Sequence, residues 1–507
     1  MDDNPIAQAY DEVPYPAWAH ASTHPDRLAT IARLHGLTPA PVGACRVLEL
    51  GCGDGGNLIP MAVTAPGSHF VGIDLSELSI ARGVAAAEAA GVTNVTLLAA
   101  DLTTFDPGPE PFDYIIAHGL YAWVPPEVQA AALALIGESL GPQGVAYVSY
   151  NTMPGGHIRL MLREMMLFHI GEGGTPSERT TGAMGLMGIL AKVPPRPGDH
   201  YATLVAAEAE RLAKREPAIV YHDELAPVND PVYLTEFLSA AAEHGLQFLG
   251  EADYFEMFSY EFPADVVEAL REAQSQSRVL REQYLDFLVC RRFRKTLVCQ
   301  EAAEVQDDPD PRALFEMWVS SGIEIVRDAK PAPPPGFVSY RHVNGATFSS
   351  GDTALNATLR RLSEVAPLGL AFADLVEVAG RYAAPAAKPN LRDELAAAYL
   401  GMYQGLIVEL STVAPPFVVE PDRQPEASRW ARYQAEAGLP GVTSLNHINV
   451  WLETDLMRAT IPLLDGTRDR AAIIAGLGEL LPADGAEARR KLHEVLAHLG
   501  KSGVLRA

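Results

Sequence analysis

From Cys45 onward, short apolar runs alternate with segments whose apolar residues recur at helical spacing. "CRVLEL", "HFVGID", "VTLLAAD", "FDYIIAHG" and "GVAYVSY" read as strands, and "NLIPMAVTA", "LSIARGVAAAEAAG" and "PPEVQAAALALIGESL" as the helices between them. Parallel neighbours need such crossovers, so the pattern predicts a doubly wound, Rossmann-like α/β sheet. The ligand of such a sheet lies beyond the carboxyl ends of its strands.

The alternation stops after Tyr150. Residues 156–220 read as a helical insertion, with "HIRLMLREMMLFHI" apolar on one face and punctuation at "GEGGTP" and "VPPRPGD". The α/β pattern returns over 221–300, where the helix "PVYLTEFLSAAAEHG" and the strands "LQFLGEAD" and "FRKTLVCQ" are expected to complete the sheet begun in residues 1–155. The acidic run "QDDPDP" and the proline run "KPAPPPG" predict an exposed linker over 301–345. Residues 346–507 are mostly helical, and the short strand candidates "LIVELS" and "GVLRA" suit winged-helix-like units.

The stretch "VLELGCGDGGNL" joins a strand to a helix through four glycines in six residues. A phosphate-binding P-loop would end in Lys followed by Ser or Thr, and here Gly56, Asn57 and Leu58 stand instead. A dinucleotide site would use an acid some twenty residues on, a role Asp74 fits, but Glu49 and Asp54 would face the pyrophosphate. A cationic, phosphate-free ligand removes that conflict. S-adenosylmethionine, with its sulfonium, ammonium and ribose diol, is such a ligand.

"VLELGCGDGGNL", "VGIDLSELSIARG", "AADLTTF" and "FDYIIAHG" resemble, in order and spacing, the motifs of class I S-adenosylmethionine-dependent methyltransferases. The resemblance implies that Gly51 and Gly53, with Cys52 between them, let the backbone approach the methionine part, that Glu49 orients the amino group through the loop or water, and that Asn57 belongs to the cofactor-binding set. It implies Asp74 for the ribose hydroxyls beside Leu75, and Asp101 for the adenine amino group beside Leu102; Asp101 has a second reading as a helix cap. More of the chain resembles bacterial methyltransferases with a methyltransferase regulatory domain: "YDEVPYPAWAHASTHPDRLATIARLHGL", "AHGLYAWVPP", "SYNTMPGG", the block "YHDELAPVNDPVYLTEFLSAAAEHGLQFLGEADYF", "EQYLDFLVCRRFRKTLVCQ" and "LDGTRDRAAIIAGL". That group is similar to rickettsial protein-lysine methyltransferases. The implied acceptor is a protein or peptide lysine, with a small molecule or a modified peptide as the alternative, and the C-terminal domains and helical insertion are read as serving acceptor binding or homodimerisation. A non-catalytic winged-helix regulator is the alternative of another class.

On the acceptor side the sequence offers His118, Tyr121 and Trp123 after the fourth strand, and Tyr150, Asn151 and Pro154 after the fifth. Aromatic rings there would surround and desolvate an ammonium, and His118 would either take a proton or bond the cofactor. Tyr121 and Trp123 have ordinary packing as their other reading. In the family the N-terminal stretch lies over the cofactor pocket, which makes Tyr10, Tyr15 and His24 lid candidates; the alternative is a surface arm.

Composition narrows the rest. A chain of 507 residues exceeds one core, and 48% hydrophobic residues are enough for two or three. Its 39 basic against 64 acidic groups leave a formal charge of −25, which disfavours nucleic acid and anionic membrane as partners. The polar N-terminus and the lack of a long apolar run predict a cytoplasmic protein. Cys45, Cys52, Cys290 and Cys299 show no metal spacing and read as buried small apolar side chains, so no metal is expected.

Overall fold

The structure, a computed structural model, describes residues 12, 13, 15, 18–258, 261–330, 332–385 and 387–506. Seven strands form one sheet: β1 (Arg46–Leu50), β2 (His69–Asp74), β3 (Val95–Ala99), β4 (Phe112–Ala117), β5 (Leu140–Asn151), β6 (Leu246–Glu251) and β7 (Phe293–Gln300). Their order is β3-β2-β1-β4-β5-β7-β6, with β1 to β5 parallel and β7 antiparallel to both neighbours. The direction of strand addition reverses between β1 and β4, which opens a crevice at their carboxyl ends.

Side chains alternate between the two faces. Val47, Tyr114, Ile116 and Tyr147 enter a core shared with α1 (Pro25–Leu34) and the C-terminal region. Leu48, Leu50, Ile115, Ala117 and Tyr150 enter the opposite core. By this parity Glu49, His118 and Ser149 belong to the first face. The helices of that sheet are α2 (Leu58–Thr64), α3 (Glu77–Ala89) and α4 (Pro126–Ser139). Gly83 of α3 lies so close to the glycine loop that a Cβ there would stand 2.3 Å from the Asp54 carbonyl oxygen.

Four helices follow β5: α5 (Gly156–Ile170), α6 (Pro176–Leu190), α7 (His200–Ala213) and α8 (Pro217–Glu224). Leu162, Met166, Met187, Val205 and Leu212 give the first three a core of their own. Next come α9 (Leu234–Ala242), β6, α10 (Ala264–Gln276), α11 (Arg278–Val289) and β7. Arg294 of β7 is completely buried; its guanidinium bonds Asp286 Oδ2 at 2.9 Å and Oδ1 at 2.8 Å, and also Glu251 of β6.

Residues 301–345 are not the exposed linker expected from their composition. Leu314, Met317, Val319, Ile323 and Tyr340 are buried in the core that also holds α1. The segment forms β8 (Trp318–Ser320), β9 (Ile323–Val326) and β10 (Val338–His342), strands too short to show alternation between the acidic and proline runs. β9 and β10 form a sheet with β11 (Thr347–Ser350), and β8 pairs with β12 (Leu370–Ala371) and β13 (Glu409–Ser411). Around them lie α12 (Thr353–Val365), α13 (Phe372–Gly380) and α14 (Leu391–Gln404). A last unit contains α15 (Arg429–Glu436), the hairpin β14 (Gly441–Thr443) and β15 (Asn449–Trp451), α16 (Asp455–Thr460), α17 (Arg470–Leu477) and α18 (Gly485–Lys501). Cys45, Cys52 and Cys299 are buried, whereas Cys290 is exposed: it ends α11 with a left-handed φ of 50° that turns the chain into β7.

Arg294 pairs with the buried carboxylates Glu251, Glu282 and Asp286, the last shared with Arg291. Arg294→Ala should destabilise the chain by roughly 3–5 kcal/mol, the cost of stranding buried charge. Urea denaturation followed by circular dichroism checks this; a loss below about 1 kcal/mol would show that water reaches Glu251 and Asp286.

Candidate functional site

A cavity of about 1040 Å³ opens over the carboxyl ends of β1, β2 and β4. Its first half is the glycine loop. Gly51 and Gly53 adopt φ of 72° and 57°, and a Cβ built on Gly53 meets nothing within 4 Å, so a side chain there would project into the cavity. Asp74 closes β2 and accepts the Gly53 and Ser76 N–H groups, each at 2.9 Å, tying the loop to the start of α3. Cys52, Leu75, Asp101 and Leu102 also line this half. Asp101 Oδ1 accepts the N–H and hydroxyl of Thr103 at 2.9 and 2.7 Å, a local turn that leaves its side chain exposed at the rim.

Glu49 is the acid inside β1, and it is only 4% exposed. Oε1 accepts from Asn57 Nδ2 at 2.7 Å, and Oε2 has no hydrogen-bond partner among the described residues. Burial, with the nearby Asp74 charge, pushes this carboxyl up to about 8. Asn57 lines the cavity but its amide is heavily used: Oδ1 accepts the His20 N–H at 2.9 Å and contacts His447 Nε2 at 2.9 Å, and Nδ2 also reaches Thr23 Oγ1 at 3.1 Å.

His118 also lines the cavity. Its Nδ1 lies 3.1 Å from both Tyr147 Oη and Ser149 Oγ, and its ring packs on His20 at 4.0 Å between centroids. Burial, then His20 and Lys295, holds the imidazole well below its ordinary value, and His20 itself is lowered to about 4, chiefly by burial. Both rings are neutral at physiological pH, so His118 is a weak base and a hydrogen-bonding group. Tyr15 and Trp18 of the N-terminal segment line the cavity as well, and Tyr15 Oη donates to Asp223 Oδ1 of α8 at 3.4 Å across it. His24 instead caps α1 and packs on His447 at 5.2 Å. Tyr10 lies outside the described residues.

Four candidates for the acceptor side, Tyr121, Tyr150, Asn151 and Pro154, do not line the cavity. Tyr121 begins a short 3-10 turn, Tyr121–Trp123, that rotates it into the opposite core against Tyr150 and Phe237, and the same turn delivers Trp123 to the cavity wall. Asn151 is fully buried, with its amide bonded to Asn229 at 2.9 Å and Arg159 at 2.7 Å. It holds Arg159 in place, and Arg159 reaches the wall beside the Trp123 ring, 6.0 Å from its centroid.

Sequence reading missed the basic wall of the second half, where Arg159, Arg211, Arg215 and Arg292 surround Trp123 and Phe293. Asp223, Glu224 and Glu208 pair with these arginines, for example Arg159 with Glu224 at 3.0 Å and Arg215 with Asp223 at 2.7 Å. The cavity therefore has carboxyl groups at the glycine loop and an arginine-rich ion network opposite it. Among the described residues no group of three or more His, Cys, Asp or Glu could hold a metal ion, and no helix is long and apolar enough to cross a membrane.

Residues 47–144 match the family described as a methyltransferase domain, residues 216–300 that of a predicted methyltransferase regulatory domain, and residues 423–498 the C-terminal winged helix domain of PKMT. An uncharacterized protein of Rickettsia prowazekii is 36% identical over 304 residues, covering 60% of this chain and 54% of that protein. A second from the same organism is 34% identical over 241 residues, covering 48% of this chain and 96% of that protein. The chain thus spans about half the length of the first relative, and nearly all of the second. The solved structure of PKMT2 from Rickettsia typhi in complex with AdoHcy is similar at 25% identity, with a TM-score of 0.85 over 97% of this chain and 100% of that one. The chain belongs to the methyltransferases that join a methyltransferase domain to a methyltransferase regulatory domain and a C-terminal winged-helix domain.

Glu49 makes the stability of the ligand-free chain depend on pH. Its folded value near 8 exceeds the ordinary 4.5, so between those values the folded state holds a proton that the unfolded state has lost. Stability should fall as pH rises through that window. Glu49→Gln, which cannot ionise, should gain on the parent by about 2 kcal/mol or more between pH 5 and 8, with no added gain below about pH 4.5. Denaturant titrations at stepped pH measure this, and a constant difference between the two proteins would show Glu49 ionising normally.

Proposed function

We propose that the chain is an S-adenosylmethionine-dependent protein-lysine N-methyltransferase. The observation that carries this reading is the arrangement of the cavity, with carboxyl groups beneath the glycine loop and aromatic rings within an arginine-rich ion network opposite it. The family membership and the likeness to PKMT2 support it.

S-adenosylmethionine, when bound, supplies an electrophilic methyl group on a cationic sulfur. The residues present suit that ligand. Glu49 Oε2 is a buried acceptor lacking a partner among the described residues, suited to an ammonium, and Asp74 and Asp101 line the same half of the cavity with carboxylates suited to a ribose diol and an adenine amino group. The open space over Gly53 admits the ligand close to the backbone.

On the other side the chain must keep a lysine amine neutral and dry. Arg159, Arg211, Arg215 and Arg292 outnumber by one the carboxylates Glu208, Asp223 and Glu224 that pair with them, and this surplus disfavours a further cation, which lowers the pKa of an incoming ammonium and enriches the nucleophilic amine. Trp18, Trp123 and Phe293 remove water from its shaft and leave its direction of approach fixed. The amine's proton goes to solvent rather than to His118, whose depressed basicity makes it a poor acceptor. The His118 ring orients by hydrogen bonds.

The test is transfer from methyl-labelled S-adenosylmethionine into lysine-containing peptides and a fractionated lysate, followed by acid hydrolysis. Label recovered as methylated lysine is expected, and label confined to small molecules would overturn the lysine reading. Trp123→Ala should lower turnover by about tenfold or more while S-adenosylmethionine affinity stays within about twofold, because the ring positions only the acceptor. Calorimetry beside the turnover assay separates the two quantities; equal losses in both would move Trp123 to the cofactor side.

A further inference from the structure

We infer that the hairpin β14–β15 of the C-terminal domain is a working part of the cofactor site: through His447 it positions the Glu49 carboxyl that faces the cavity. This rests on the reading of the cavity as the site of S-adenosylmethionine.

The argument starts from hydrogen-bond direction. The His20 backbone N–H can only donate, so the Asn57 atom that faces it at 2.9 Å is the amide oxygen. The Asn57 nitrogen then faces Glu49 Oε1 at 2.7 Å, and His447 Nε2, 2.9 Å from the same amide oxygen, must carry the proton. His447, Asn57 and Glu49 form one directed chain that ends at Glu49 Oε2, which has no partner among the described residues. No other arrangement of these donors and acceptors satisfies all three contacts.

His447 is held for this contact at a conformational cost. It is a non-glycine residue at φ 60° and only 3% exposed. The loop around it is fixed by Ser444, whose carbonyl accepts the His447 N–H at 3.1 Å and whose hydroxyl accepts the Ile448 N–H at 3.1 Å. The same hairpin grips the N-terminal segment over the cavity. Asn449 bonds the Ala19 N–H and carbonyl at 3.3 and 2.9 Å, and Trp451 packs on Trp18, a cavity-lining residue, at 4.9 Å. A domain that merely covered the methyltransferase fold would need none of these polar contacts at the glycine loop.

The amino-acid arm of the ligand is what Glu49 would sense, so two ligands separate positioning from general support. S-adenosylmethionine carries the arm; 5′-methylthioadenosine keeps the nucleoside and lacks it. In calorimetric titrations of the full chain, His447→Ala should weaken S-adenosylmethionine about tenfold or more, the scale of a hydrogen bond serving a charged group, and change 5′-methylthioadenosine by less than about twofold. His447→Gln, which can return an N–H to the same place, should recover most of the loss. Asn57→Ala cuts the link from the other side and should give the same selectivity, which keeps the inference open to refutation if His447→Ala does not fold. Equal weakening of both ligands, or of neither, overturns the inference. A parent chain that binds neither ligand overturns the S-adenosylmethionine reading itself, and this inference with it.

Discussion

The burial of one carboxyl group under a glycine loop organises the molecule around the cavity. An acid in the middle of an otherwise apolar strand is costly unless its oxygens are answered. Asn57 answers one oxygen of Glu49, and in doing so exposes an amide oxygen that collects the His20 backbone from the N-terminal segment and His447 from the C-terminal hairpin. The second oxygen of Glu49, a residue that lines the cavity, is buried with no partner among the described residues. Parts of the chain 390 residues apart thus meet at a single amide, and the roof of the cavity is positioned by the same contacts that make its floor acidic.

The opposite wall depends on the far edge of the sheet. β7 runs antiparallel between β5 and β6, so the chain that leaves β5 must cover the crevice before it returns, and the helices α5 to α8 occupy that excursion. Arg294 fixes β7 to β6 and α11 from within. The residues just before it, Arg292 and Phe293, emerge at the cavity beside Trp123. The regulatory segment and the helical insertion therefore both contribute to this wall of the cavity, neither being a free appendage.

What could be read from the sequence follows from the range of the interactions involved. The glycine loop, the acid at the end of β2 and the order of strands and helices are local patterns, and they are where the alternation placed them. Period two along β4 also puts His118 on the face of Glu49, but it says nothing beyond the strand end. The 3-10 turn at Tyr121–Trp123 breaks the period, and the two aromatic residues separate to opposite sides. The short strands of 301–345 were hidden by proline and acid runs beside them. The arginine wall draws on α5, α7, the turn after α7 and the residue before β7 with no common spacing, and His447 had no local signal at all: a histidine in "NHIN" is an ordinary loop residue until the hairpin is docked.

The histidines show how the two charged halves of the cavity are kept apart. His20, His24, His118 and His447 lie along the seam between the N-terminal segment, the strand ends and the C-terminal hairpin, in pairs His20–His118 and His24–His447. Burial is the leading cause that depresses all four, and each pair or neighbouring cation adds to it for His20, His118 and His447. Neutral imidazoles can both donate and accept, so they satisfy the amide and hydroxyl groups of the seam without adding charge. A lysine or arginine in their place would pair with Glu49 and cancel the acidity beneath the loop; an acid would add to the repulsion that already raises Glu49. A chain with formal charge −25 can hold carboxyl groups beneath the loop and an arginine network opposite them within one cavity because the histidines of the seam between them are neutral.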